Sequence, residues 1–360
     1  MKIILFGTGN FAEQTYGKIN KMPDGIELLG FIDNDATRWG EVWGKPCFSP
    51  SALKDIEYDK IIILSISYYE EIRKNLVVQY QVNNTKIEDY TYLLKLLFIE
   101  KYKNSQDKEI KEILQYWKNH KLSIFNQYVE KSEDCWEVHW DSIEYMPYII
   151  FEDKRMYFPS DTKFEEKNGK KVVKNLLDEQ QAKSPHLYLK DDIIVQTGDV
   201  IVDAGVCEGN FILRHIEKAS KAYLFESDKR WRKPLELSMK KFADKVIMCD
   251  RYLGKQNNRN TVTLDAIVHG RLDFLKMDIE GAEVDALIGG HDILTKNNVK
   301  CAICSYHNRN DEKRIREILY TYGYNTNVSN GYMVFYWDTN IFSDSSFRRG
   351  MVYARKIHHR

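Results

Sequence analysis

"GDVIVDAGVCEGNF", Gly198 to Phe211, runs through an apolar strand into an acid, a glycine-spaced loop and the start of a helix. A strand leading into glycines and then a helix is the usual setting for a nucleotide, because the helix start offers unpaired N–H groups and a positive dipole end. A second opening of this kind, "IILFGTGNFA" at Ile3 to Ala12, lacks the acid that Asp203 supplies in the first. The two loops are therefore expected to prefer different ligands.

Around the first loop the pattern is regular. "DVIVDAG", "KAYLFES", "KVIMCD", "LDFLKMD" and "KCAICSY" are apolar runs that end near polar residues, with helical segments between them. This predicts a doubly wound sheet over residues 191–360, whose ligands sit beyond the carboxyl ends of the strands. Those ends carry Asp203, Gly205, Gly209, Glu226, Asp250, Asp278 and His307. Asp203 and Glu226 would repel a pyrophosphate, whereas a nucleoside with a cationic tail suits them. S-adenosylmethionine is such a molecule: its ammonium fits a carboxylate, and Glu226 can accept from both ribose hydroxyls. Gly205 and Gly209 allow the backbone to approach the ligand closely.

Residues 1–90 also alternate strand and helix, which predicts a small Rossmann-like domain. Its loop reads G-x-G-x-x-A, with Gly7 and Gly9 at the turn, and Asp33 closes the second strand, where an acid can bond ribose hydroxyls. Residues 91–190 read as a connecting region. "LLKLLFIEKY" and "EIKEILQYWKNH" have helical spacing, "YMPYIIFEDKRMYFP" is strand-like, and the charge-rich "KFEEKNGKKVVK" reads as a solvated turn. The fold class is thus α/β, with two Rossmann-like domains.

Composition narrows the function. Lys plus Arg equals Asp plus Glu at 53 each, so no global field gathers nucleic acid or an anionic membrane. Six scattered cysteines in 360 residues do not make a disulfide framework. Cys301 and Cys304 lie three apart in a strand-like run, point to opposite faces, and read as packing residues. With no secretory signal and no membrane span, a cytoplasmic protein is expected.

"GDVIVDAGVCEGNF", "AYLFESD", "TVTLDAI", "FLKMDIEGAEVDAL" and "CSYHNRNDEKRIREILYTYGY" resemble the successive blocks of FkbM-type S-adenosylmethionine-dependent methyltransferases, from about Gln180 to Lys356. "KMDIEGAE" is the most specific of them, and the final "MVYARK" resembles the last strand of such a domain. The resemblance implies a class I methyltransferase-type sheet and S-adenosylmethionine as cofactor. "DEQQAKSPHLYL" resembles the lead-in segment on the cofactor side, so His186 and Tyr188 are binding candidates, as a lid or simply as a packed aromatic loop.

Transfer of a methyl group to a hydroxyl needs an aligned acceptor and a route for its proton. Asp278, Glu280 and His307 stand where the acceptor would lie, and one of them could be the base. The same three could instead hold a divalent cation. A third reading has Glu280 and Glu283 capping the helix that begins near Gly281, and takes His307 as a packed histidine. The metal question is open at this point.

"GFIDNDATRWGEVWGKPCFSPSAL" resembles small nucleotide-binding domains that precede bacterial sugar-modifying enzymes. That implies a nucleotide, nucleotide sugar or NAD(P) at Gly7, Gly9 and Asp33, or a fold kept without its ligand. The leading expectation is an O-methyltransferase acting on a sugar hydroxyl of a surface polysaccharide, a nucleotide sugar or a glycosylated metabolite. The acceptor would be a small molecule or glycan, and a homo-oligomer is compatible with the chain. The competing readings are an NAD-dependent sugar-modifying enzyme working through the first domain, and a non-catalytic binding protein or scaffold.

Overall fold

The computed structural model describes residues 1–338 and 340–356. The chain forms two compact units. The first comprises Met1–Asn126 with Val334–Phe347; the second comprises Gln127–Met333 with the described residues from Arg348 on.

In the first unit, β1 (Lys2–Phe6), β2 (Glu27–Ile32), β3 (Gly40–Val42), β4 (Lys45–Phe48), β5 (Lys60–Ile63) and β6 (Ile87–Asp89) form a sheet in the order β3-β4-β2-β1-β5-β6. All neighbours pair in parallel except β3 with β4. The helices are α1 (Asn10–Thr15), α2 (Tyr69–Val78), α3 (Tyr90–Tyr102) and α4 (Lys108–Tyr116). Ile4, Phe6, Ile32, Ile61 and Ile63 are buried at the sheet centre, as continuous apolar runs in a parallel sheet require. Phe347 returns to this unit and packs on Phe98 and Trp117.

The second unit opens with short antiparallel strands. These are β7 (Cys135–Glu137), β8 (His139–Asp141), β9 (Met146–Phe151), β10 (Lys154–Tyr157), β11 (Glu165–Lys167) and β12 (Lys170–Lys174). The stretch expected to be a solvated turn is therefore a β11–β12 hairpin. Asn168 and Gly169, both at positive φ, close it, and an Asn-Gly pair is the preferred two-residue hairpin turn.

The main sheet contains β13 (Val200–Ala204), β14 (Lys221–Phe225), β15 (Val246–Cys249), β18 (Phe274–Met277), β19 (Lys300–Cys304), β20 (Tyr324–Val328) and β21 (Met351–Lys356). A small pair, β16 (Tyr252–Leu253) and β17 (Thr261–Val262), lies between β15 and β18 in sequence. The order is β15-β14-β13-β18-β19-β21-β20, and β21 alone runs opposite to the other strands. The helices are α5 (Asn210–His215), α6 (Arg232–Ser238), α7 (Leu264–Ile267), α8 (Glu283–Ile288), α9 (His291–Lys296) and α10 (Asp311–Thr321). Every residue of β13 and β18 is buried. From β13 the chain winds first toward β14 and later toward β18, which makes the carboxyl ends of β13 and β18 the switch point where a ligand crevice opens. Among the described residues no helix is long and apolar enough to cross a membrane.

Candidate functional site

The loop after β13 is held at both sides: the Gly205 N–H donates to the Phe225 carbonyl, and the Asp278 N–H donates to the Ala204 carbonyl, each at 2.9 Å. Gly205 has φ +75°, and a Cβ there would stand 1.7 Å from the Asp278 carbonyl oxygen. Only glycine allows this approach, so the loop is pressed onto the segment that carries Asp278. Cys207, exposed and at φ +49°, forms the tip of the turn before α5.

Beneath this loop lies a buried ion pair. Asp203 has no exposure, and its Oδ1 is 3.1 Å from Lys276 Nζ, which also donates to the Gly205 carbonyl at 2.6 Å. The two residues are register partners on adjacent parallel strands. Burial pushes the Asp203 carboxyl up while Lys276 opposes it. The sequence pointed Asp203 at a cationic ligand; here its counter-charge is supplied by the protein, and it supports the loop from below.

Glu226 follows β14 and is half-buried. It accepts from the Cys207 N–H at 2.9 Å through Oε2 and from the Asp228 N–H at 2.8 Å through Oε1. A carboxylate has about four lone-pair sites, so acceptor capacity is left beside the glycine loop, where a ribose diol would be received. Asp250 follows β15 and pairs with Arg232 at 3.2 Å; both are well exposed, so the pair adds little rigidity.

On the other side of the loop Asp278 is the hub. Its side chain is 18% exposed, and Oδ2 accepts from the Tyr188 hydroxyl at 2.9 Å and lies 3.5 Å from His186 Nε2. Oδ1 accepts from the Tyr306 hydroxyl at 3.3 Å and lies 3.5 Å from His307 Nε2. Burial alone would raise the Asp278 pKa, but His186, Lys276 and His307 outweigh it and hold the carboxyl well below the usual range. His186 and Tyr188 are buried at 2% and 5% exposure, so the lead-in segment is locked onto Asp278 rather than presented as a surface loop.

Glu280 sits at φ +56° with its side chain 86% exposed, and its Oε2 is 3.5 Å from His307 Nε2. Glu283 is the opposite case. It is fully buried; one oxygen, Oε1, accepts from the Ile279 N–H at 2.9 Å and faces His307 Nδ1 at 3.0 Å. Burial lowers the His307 pKa, but Glu283 and then Asp278 and Glu280 raise it above the ordinary histidine value. Asp278, Glu283 and His307 bring possible metal-ligand atoms within 4.8 Å of one another. Both Asp278 oxygens already accept from tyrosines, and His307 Nδ1 faces Glu283 Oε1 at ion-pair range.

The sequence thus pointed to Asp278, Glu280 and His307, and the structure brings them together. It missed Lys276, Tyr306 and the role of Glu283. The signal for Lys276 was present as a lone cation inside the apolar run "FLKMD".

In the first unit the Gly7 N–H donates to the Ile32 carbonyl at 2.8 Å, and a Cβ on Gly9 would meet nothing within 4 Å. Asp33 was expected to receive a ribose. In the structure its Oδ2 accepts from the Thr8 N–H and hydroxyl at 2.7 and 2.6 Å, and Oδ1 accepts from the Asp35 N–H at 2.9 Å. The acid ties down its own loop.

Comparison with known proteins gives this arrangement a family. Residues 55–326 match the methyltransferase FkbM domain. The chain belongs to the FkbM methyltransferase family. It is an S-adenosylmethionine-dependent methyltransferase with an α/β methyltransferase fold. Residues 1–88 of this FkbM methyltransferase match the C2185-like N-terminal domain. Among solved structures it is similar to methyltransferase FkbM from Methylobacillus flagellatus KT, at 13% identity and a TM-score of 0.43, over 98% of this chain and 89% of that one. It is also similar to a Streptococcus mutans protein solved in complex with SAH, at 13% identity and a TM-score of 0.33, over 46% of this chain and 92% of that one. A third is a precorrin-6y C5,15-methyltransferase from Geobacter metallireducens GS-15, at 16% identity and a TM-score of 0.31, over 44% and 79%. No curated protein matches the chain.

Proposed function

We propose that this FkbM methyltransferase is an O-methyltransferase acting on a hydroxyl of a sugar, and that His307 is the base. The observation that carries the reading is His307 Nε2, 3.5 Å from oxygens of both Asp278 and Glu280, on the Asp278 segment that Gly205 approaches closely. S-adenosylmethionine supplies an electrophilic methyl group when bound. Glu226 would hold its ribose hydroxyls, and the backbone of residues 205–209 would line it. The neutral imidazole of His307 takes the hydroxyl proton at Nε2, while Asp278 stabilises the imidazolium so formed. Glu280, exposed and acceptor-only, suits a neighbouring hydroxyl of the acceptor. The carboxylates of Asp278, Glu280 and Glu283 gather around His307, which favours a neutral polyol and disfavours a phosphate or carboxylate at the methylated position. A glycan or glycosylated metabolite fits that requirement.

The test is transfer of labelled methyl groups from S-adenosylmethionine to a panel of neutral and phosphorylated sugars. Transfer to neutral sugars is expected, and His307→Asn should lower kcat by about 10²–10⁴-fold. Its affinity for S-adenosylmethionine should stay within about twofold, since a twofold change is under 0.5 kcal/mol. Because the working form is neutral and the pKa is raised, the rate should rise with pH through a midpoint above the histidine reference of about 6.5. Transfer that is indifferent to His307→Asn would sink the assignment.

A further inference from the structure

We infer that Glu283 is a positioning residue: it fixes the His307 ring so that Nδ1 keeps its proton and Nε2, on the side of Asp278 and Glu280, is left as the basic atom. This rests on the reading of His307 as the base. Three observations carry it. Glu283 is fully buried at the start of α8, where solvent cannot compete for its carboxylate. Its Oε1 is 3.0 Å from His307 Nδ1, closer than either carboxylate near Nε2. The same oxygen accepts from the Ile279 N–H, so the carboxylate is anchored to the segment that carries Asp278 and Glu280.

An acceptor-only carboxylate at Nδ1 selects the tautomer with the proton on Nδ1. When the acceptor O–H loses its proton to Nε2, the ring becomes an imidazolium with both N–H groups facing carboxylates. A buried acid that orients an imidazole in this way changes the tautomer and the basicity of the ring together.

The groups around His307 come from several elements. Asp278 and Glu280 follow β18, Glu283 and Asp311 belong to α8 and α10, Tyr306 precedes it with ring centroids 4.2 Å apart, and the Arg348 guanidinium donates to the His307 carbonyl at 2.9 Å. Glu283 leads the groups that raise the His307 pKa, so its charge is the one to remove. Glutamine at 283 can still accept from Ile279, which keeps the segment in place.

The experiment is ¹⁵N-histidine NMR of the full chain across pH, with His307→Asn to assign the signal. In the wild type, neutral His307 should show a protonated Nδ1 and a bare Nε2. Glu283→Gln should lower its pKa by about one unit or more, as expected on losing an opposite charge at this range, and Glu283→Asp should restore at least about half of that shift. A wild-type ring protonated at Nε2, or a pKa that Glu283→Gln leaves unmoved, would overturn the inference. If Glu283→Gln does not fold, the wild-type tautomer and Glu283→Asp still decide the matter. S-adenosylmethionine titrated into the same samples separates the two levels: no binding by the wild type refutes the proposed function, whereas normal binding with the proton on Nε2 refutes the positioning role alone.

Discussion

Lys276→Met is expected to destabilise the C-terminal unit by about 3–5 kcal/mol, the usual result of leaving one charge of a buried pair behind. Lys276 is 4% exposed and Asp203 is not exposed at all, so the carboxylate would keep neither solvent nor a counter-charge. The Gly205 carbonyl would also lose its ammonium donor, and the cofactor loop would loosen with it. The double variant Asp203→Leu/Lys276→Met removes both charges and should recover most of the loss, because replacing a whole buried pair by apolar residues is often neutral. Urea denaturation of the two single variants and the double variant measures the coupling. A loss below about 1 kcal/mol for Lys276→Met would mean that the pair is solvated.

The second large effect belongs to Gly205→Ala. The left-handed backbone alone costs a non-glycine residue roughly 1–2 kcal/mol. The new methyl would also fall 1.7 Å from the Asp278 carbonyl oxygen, and backbone cannot swing aside as a side chain does. Together these should cost about 4 kcal/mol or more, in the range reserved for severe strain. Any relief moves Asp278 away from Tyr188, Tyr306 and His307, so transfer should be lost even where the variant folds. Gly209→Ala is the control. Its φ is +84°, but the nearest contact is Leu235 Cδ2 at 3.2 Å, the end of a flexible side chain. A cost near the backbone term alone, about 1–2 kcal/mol, is expected by thermal or chemical denaturation. Equal losses at the two glycines would contradict the close approach of Gly205 to Asp278.

The parallel strands were legible because strands covered on both faces leave continuous apolar runs, as in "VIVDA" and "FLKM". Acids at their carboxyl ends stood out because a polar residue ending such a run needs a reason. Pairing across the sheet was not legible. Asp203 and Lys276 are 73 positions apart and meet through strand register, which no local pattern encodes. Tyr188 reaches Asp278 across 90 positions for the same reason. Glu283 was masked by a local alternative, since an acid in the first turn of a helix already has a sufficient role. At Asp33 the local bonds were not legible: Thr8, one residue beyond Gly7, offers it both an N–H and a hydroxyl.

Titration of S-adenosylmethionine into the wild type and Glu226→Ala by calorimetry addresses the methyltransferase site without knowledge of the acceptor. Wild-type binding is expected, weakened about 10–100-fold in Glu226→Ala, as the loss of hydrogen bonds from a charged acceptor implies. No binding by the wild type, or binding that Glu226→Ala leaves unchanged, would contradict the placement of the cofactor at the carboxyl ends of β13 and β14.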